Sequence, residues 1–400
     1  MDLHRAQEFV RSMGCYHINI HGVPKVQRVG DYIYEMSNDE ESKRTQQAKF
    51  FKEFCGGEAL KILEQNPYLK KQMGFPQEWL DLAYETNPLN LPMAIYVGFD
   101  LCGKNFVIND LNSDRAIVAG YQPEIAMAFH EQDPEKNFRS FYDGLHNAFK
   151  LYTGKDNPRV FVLRDVEDPH IHAFESFTKR KNYSLGSIDD FNPSEVDIVF
   201  RTIRTHDTIL QDNGKYRKLI NALKGGLPMI NPIGAAIAGH KGWVPYLTHT
   251  GLVNASWFPE SFLVSSEDLI TCSDGTTKNK DWVTEVLLPN RNDFIVKNVF
   301  SAGGRKVTRG SEYKFKEWKS LWEEAFKINT PMLVEKKQDR FLRRISIIDD
   351  DNKIREKELN LLQRVYTIQG TDEIYSELFG GESWKVNASG HAFPVHFSLV

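Results

Sequence analysis

Residues 293–310 read DFIVKNVFSAGGRKVTRG. The apolar run of DFIVKNV predicts a strand. Lys297 interrupts it where a lysine is poorly accommodated unless its ammonium meets an anion. Ser301, Ala302, Gly303 and Gly304 follow at once, and their backbone N–H groups can close over a polyphosphate. Lys306 and Arg309 add charge beyond the loop. This is not a P-loop, because the G-x-x-x-x-G-K-[ST] spacing is absent. A hairpin turn also uses Gly-Gly, so the flanking segments decide how the loop is read.

C-terminal to the loop, FKEWKSLWEEAFKIN predicts a helix bearing Trp318 and Trp322. PMLVEKK (331–337) then predicts a strand in which Val334 leads into Glu335. Such a strand suits an adenine slot, its backbone reading the base edge and its carboxylate accepting from the exocyclic amine; an ordinary strand end is the alternative. N-terminal to the loop, MINPIGAAIAGHKGW (229–243) ends a strand at Asn231-Pro232 and brings Lys241 to the foot of a helix. There an ammonium can meet a phosphate as a point charge. Further back, GFDLCGKNFVINDLNSD (98–114) ends one strand at Asp100 and carries Asp110 and Asn112 on the next. Two residues apart, these last two share a face. Two carboxylates and an amide oxygen form an all-oxygen set suited to Mg²⁺ on nucleotide phosphates, although acidic turns between strands are common.

The rest of the chain supplies the frame. Residues 1–90 are expected to be mainly helical, with Gly56 and Gly57 breaking one periodic run and Pro76 opening another helix. MAIYVGFDL, KNFVINDL and AIVAGY then read as successive strands. Between 137 and 205 helices alternate with the strands RVFVLRDV and VDIVFRTI, which implies a parallel sheet holding ligand at its carboxyl ends. The C-terminal part is β-rich. The expected class is α/β (α+β), divided at about 1–90, 91–205 and 206–400.

At 400 residues the chain exceeds one ordinary core, so lobes around a cleft are expected. A net charge of -4 gives no footprint for nucleic acid or a membrane surface. No apolar run is long enough to span a bilayer, and the polar start MDLHRAQEFVRSMG has no signal-peptide core, so the cytoplasm is the expected location. Cys15, Cys55, Cys102 and Cys272 follow no metal spacing and read as reduced thiols. His170 and His172 have a His-x-His spacing without a third ligand nearby, and a loop or helix-start role is preferred.

Lys241, then Lys297 with its glycine loop, then Glu335 resemble the ordered ATP site of the ATP-grasp superfamily. The metal signature of that superfamily, an Asp followed by Glu-x-Asn, usually comes after the hinge strand. Here its match, Asp100 with Asp110-Leu111-Asn112, precedes the lysines. That order resembles the circularly permuted branch, which includes glutathionylspermidine synthase, over roughly residues 90–400. The resemblance implies ATP and Mg²⁺ as cofactors and an acyl-phosphate route joining a carboxylate to an amine or thiol. The substrates would be a small-molecule acid and its nucleophile, with a carrier protein as one form of substrate. Asp110 replaces the usual Glu, Gly98 stands where relatives carry an Arg two positions before the first Asp, and Lys385 stands where they carry a later Arg. Arg201, Arg204, Arg364 and Lys385 are therefore the candidates for holding an acyl phosphate. A catalytically silent nucleotide-binding interaction protein and a phosphotransferase are the alternatives.

Overall fold

The computed structural model describes residues 30–114 (except 104), 141–164, 182–265 (except 206–208 and 210–212), 277–300, 307–327, 331–348, 353–381 (except 373) and 393–399, with residues 4, 8, 16–18 and 24–26 as short pieces.

Helix α1 (Asn38–Glu53) starts at Ser37, whose side chain accepts from the Glu40 N–H while Glu40 reaches back to the Ser37 N–H. This reciprocal cap satisfies two otherwise orphaned donors. Asp39, Glu40 and Glu41 add negative charge to the positive end of the helix dipole. Gly56 and Gly57 do not break the helix as expected. Phe54–Glu58 winds a single π-helical turn that leads directly into α2 (Ala59–Gln65). Gly56 permits a close approach there, since a Cβ would lie 2.7 Å from Nε2 of Gln369. Helices α3 (Pro67–Met73) and α4 (Gln77–Glu85) complete the layer. The same N-terminal region also contains strands: β1 (Tyr16–Ile18) pairs with β2 (Pro24–Val26), and β3 (Gly30–Met36) joins a large sheet. Its partners come from the far end of the chain.

That large sheet has seven strands. In chain order they are β3, β4 (Tyr96–Cys102), β5 (Val107–Asn112), β15 (Leu342–Ile348), β16 (Ile354–Ile368), β17 (Ile374–Gly381) and β18 (Phe393–Leu399). In space the order is β15-β3-β18-β17-β16-β4-β5. A second sheet is parallel, as the alternating pattern predicts. It comprises β6 (Val160–Leu163), β7 (Tyr183–Gly186), β8 (Ile198–Arg201) and β9 (Met229–Ile230), ordered β7-β6-β8-β9, with helix α5 (Phe141–Thr153) leading into β6 and α6 (Asn213–Lys224) joining β8 to β9. A short helix α7 (Trp243–His249) leads to the third sheet, ordered β11-β10-β14-β12-β13. Its strands are β10 (Ser261–Val264), β11 (Thr277–Lys278), β12 (Phe294–Asn298), β13 (Val307–Arg309) and β14 (Met332–Lys336). Helix α8 (Phe315–Lys327) buries Trp318 and Trp322 against Val296 and Val334. The main core joins the helical layer, the seven-stranded sheet and the third sheet through Phe51, Phe99, Trp243, Leu333 and Val365. The expected strand AIVAGY and most of the expected helix at 172–183 lie outside the described residues. Among the described residues no helix is long and apolar enough to cross a membrane.

Candidate functional site

The site forms where the β4–β5 hairpin faces the third sheet. In the hairpin Asp100 pairs with Asp110 and Gly98 with Asn112. The pairing jumps from Asp100↔Asp110 to Leu101↔Ile108, so Asn109 is an extra, bulged residue. A bulge turns backbone groups out of the ladder. The Asn109 carbonyl accepts from Nζ of Lys297 at 2.5 Å.

Lys297 enters from β12, where Ile295 pairs with Glu335 and Lys297 with Leu333 on β14. Its Nζ lies 2.6 Å from Oε2 of Glu335, and the two residues are only 6% and 2% exposed. Glu335 Oε1 has no hydrogen-bond partner among the described residues. Burial disfavours the charged form of Lys297, but the surrounding Glu335 and Asp110 carboxylates outweigh it and hold the ammonium above its ordinary pKa. Burial likewise pushes the Glu335 carboxyl up, with Lys297 opposing.

Two further ion pairs complete the cluster. Arg364 on β16 faces Asp100 across the strand pair and grips it with two bonds, Nε–Oδ1 at 2.6 Å and Nη2–Oδ2 at 3.0 Å. Lys241, just before α7, lies 3.4 Å from Oδ1 of Asp110. Lys241, Lys297 and Arg364 thus face Asp100, Asp110 and Glu335, three cations against three carboxylates. Burial pushes the Cys102 thiol up to about 12, with Lys297 opposing and Glu335 and Asp100 adding to it, so this cysteine is a neutral neighbour and not a nucleophile.

The scaffold behind these groups rests on Asn231 and Arg201. The Asn231 carboxamide accepts from the N–H groups of Ile95 and Tyr96 and donates to the carbonyls of Tyr96 and Ser113. It ties the end of β9 to β4 and to the residue after β5, which sets the approach of Lys241. Arg201 is 0% exposed and donates to Asp114 at 3.0 Å and to the carbonyls of Asn231, Ile203 and Pro232. Its expected place on an acyl phosphate is corrected: its donors are consumed by the scaffold. Arg204 is half-buried beyond the end of β8.

The adenine-slot expectation at Val334 is also corrected. The Val334 side chain lies in the core with Val296, Trp318 and Trp322. Its strand is paired on both sides, with Val334 opposite Phe262 and Val296, so those backbone groups are already in ladders. Of the other expected nucleotide contacts, Ser301, Gly303, Gly304 and Lys306 lie outside the described residues, as does Lys385.

At Gly98 an added Cβ would meet Cδ1 of Tyr366 at 3.1 Å. Tyr366 sits directly opposite on β16 and stacks on Tyr96 at 5.4 Å. The aromatic ring therefore occupies the approach that an arginine side chain would take from position 98. Arg364, two residues earlier on β16 and so on the same face, brings a guanidinium to Asp100 from the neighbouring strand.

Asp110 Oδ1 and Asn112 Nδ2 are buried without hydrogen-bond partners among the described residues. The open Asp110 oxygen, next to the Asp100 carboxylate, suits the oxygen-donor chemistry of a hard cation such as Mg²⁺, whereas Asn112 Nδ2 is an amide donor, so Asn112 joins such a set through its carboxamide oxygen alone. Among the described residues no group of three or more His, Cys, Asp or Glu side chains is placed to hold a metal ion, at this site or elsewhere.

The sequence matches no family model and no curated protein. Its fold is similar to that of a solved glutathione synthetase-like effector from Globodera pallida in apo form, at 12% identity and a TM-score of 0.55, over 100% of this chain and 97% of that one. A D-cycloserine synthetase aligns at 10% identity and a TM-score of 0.33, over 60% of this chain and 90% of that one. A D-alanine–D-alanine ligase from Bacillus anthracis complexed with ATP aligns at 14% identity and 0.29, over 58% and 87%. Those two partial alignments score too low to establish a shared fold. The full-length one establishes a shared mixed α/β fold, with helices packed on several sheets.

Proposed function

We propose that the chain is an ATP-dependent ligase that activates a carboxylate as an acyl phosphate and passes the acyl group to an amine or thiol. The observation that carries this reading is that Lys241 meets Asp110, and Lys297 meets Glu335 and the Asn109 carbonyl, at the joint where the hairpin bearing Asp100, Asp110 and Asn112 faces the third sheet. Those residues come from four separate segments, in the order expected of a circularly permuted ATP-grasp chain. An amino acid, a peptide or a carrier-bound acid is the proposed substrate class, and the full-length likeness to a glutathione synthetase-like fold supports it.

Lys241 and Lys297 neutralise phosphate oxygens, each exchanging its present carboxylate for the incoming anion. Asp100, Asp110 and Asn112 would hold Mg²⁺, which would supply charge neutralisation on the transferring phosphoryl group. Arg364, kept rigid by its two bonds to Asp100, presents a cation where charge develops on the acyl phosphate. The buried position of Lys297 and Glu335 excludes water that would hydrolyse such an intermediate. Screening amino acids, short peptides and thiol acceptors for ADP release tests the reading. Turnover with one acid–nucleophile pair is expected, together with its loss in Lys297→Ala; turnover unchanged by that substitution would overturn it.

A second reading has its own observation. Every cation of the cluster has a protein carboxylate partner, and Tyr366 closes position 98. A protein that binds nucleotide without turning it over would show the same features. MgATP binding with no ADP release across the whole screen favours that reading.

A further inference from the structure

A separate cavity of about 570 Å³ lies between α1, the β4–β5 turn and β16, and the proposed ligase site does not use it. Leu101 and Gln363 line it, whereas their chain neighbours Asp100 and Arg364 carry the ion pair of the site. Adjacent residues of a strand point to opposite faces, so the cavity is on the reverse of the sheet. Its volume falls within the range of small-molecule pockets.

Two carboxamides at the wall are the informative groups. Gln47 is 1% and Gln363 2% exposed, and neither amide nitrogen donates to any acceptor among the described residues. Such buried donors are destabilising unless something accepts from them. Leucine would fill the same volume in either place without the penalty. Arg44, also buried at the wall, bonds Ser376 at 2.8 Å and adds positive charge to this end. Asp39 and Glu40, exposed and half-buried respectively, line the cavity from the first turn of α1. Phe106 and Phe258 supply apolar wall between the two polar ends. One end donates hydrogen bonds beside a guanidinium, whereas the other mixes Asp39 and Glu40 with Lys43, and Glu40 already accepts from Ser37.

We propose that this cavity binds a small carboxylate, its carboxylate group taken by the Gln47 and Gln363 amides beside Arg44 and its apolar part by Phe106 and Phe258. The ligand is distinct from the reactants of the ligase site, because the sheet separates the two. Calorimetry on the full chain with L-alanine, L-glutamate and glycylglycine at millimolar concentration tests it. At least one of these is expected to bind, and alaninamide, which lacks the carboxylate, to bind about tenfold or more weakly than alanine. The doubly substituted chain Gln47→Leu/Gln363→Leu is expected to lose the binding while melting at a higher temperature than the unaltered chain. Lys297→Ala keeps the binding, so failure of the ligase reading and failure of this one are told apart. Absence of heat from all three probes, or equal binding of alanine and alaninamide by the unaltered chain, would overturn the proposal.

Discussion

Arg201 and Lys297 are both cations buried inside this molecule, and they are held in opposite ways. Arg201 gives bonds to Asp114 and three backbone carbonyls, and Asp114 in turn accepts from the backbone and hydroxyl of Thr205. Lys297 meets one carboxylate and one carbonyl, and around it Glu335 Oε1, Asp110 Oδ1 and Asn112 Nδ2 have no hydrogen bond among the described residues. The first network is closed and serves the fold. The second keeps open valences in the interior, a state that lowers stability and persists where a ligand completes it. Burial and charge are the same in both; satisfaction separates scaffold from site.

Substitutions that remove one charge at a time should therefore have opposite signatures. Arg201→Met gives the largest expected loss of stability, about 3–5 kcal/mol, because Asp114 and three carbonyls lose a buried partner. Urea denaturation measures it, and a loss below about 1 kcal/mol would erase the contrast with Lys297. Lys297→Met should cost less, about 2 kcal/mol, because burial already raises the Glu335 pKa and lets that carboxyl take up a proton once its partner is gone. Its signature is the loss of nucleotide-dependent activity. The sign with pH is fixed by the raised pKa of Lys297. The stabilisation from its charge is complete below the ordinary lysine value of 10.5 and fades as pH rises through the higher folded value. The stability gap between unaltered chain and Lys297→Met should accordingly stay level from neutral pH to about 10 and narrow above it.

Asp110→Ala separates the two roles more finely. Its Oδ1 makes no hydrogen bond among the described residues and its ion pair with Lys241 spans 3.4 Å, so stability should change by no more than about 1 kcal/mol. Mg²⁺-dependent nucleotide affinity should nonetheless fall about tenfold or more, read by calorimetry with and without Mg²⁺. At the bottom of the scale, Lys61→Ala removes a 2.6 Å pair with Glu58 whose side chains are 63% and 55% exposed. A change within about 0.5 kcal/mol is expected by thermal unfolding, since solvent screens such pairs.

Much of this was legible in the sequence, for physical reasons. A lysine inside an apolar strand demands an anion, and the two-residue strand period puts Asp110 and Asn112 together without any knowledge of the fold. The identity of the anion was not legible. Glu335 meets Lys297 only because β12 and β14 pair in a register that sets Ile295 opposite Glu335. Register comes from packing on both sheet faces, which local pattern does not encode. The Asn109 bulge was equally hidden, since one extra residue in a hairpin leaves no compositional mark. Arg364 was a candidate, but its partner Asp100 lies 264 residues away, so the pair follows from topology alone. The strand at Gly30–Met36 was missed for a similar reason: β15 and β18, its partners, are more than half a chain away. Val334 failed in the opposite direction. The apolar strand was correctly expected, but the strands on both sides that consume its backbone groups could not be seen from one segment.

If the cluster around Lys297 is a nucleotide site rather than a closed piece of scaffold, isothermal titration of the full chain with MgATP will show it. One saturable site is expected in the unaltered chain and in Gln47→Leu/Gln363→Leu, with binding lost in Lys297→Met; no heat at millimolar MgATP, or binding undiminished in Lys297→Met, would contradict it.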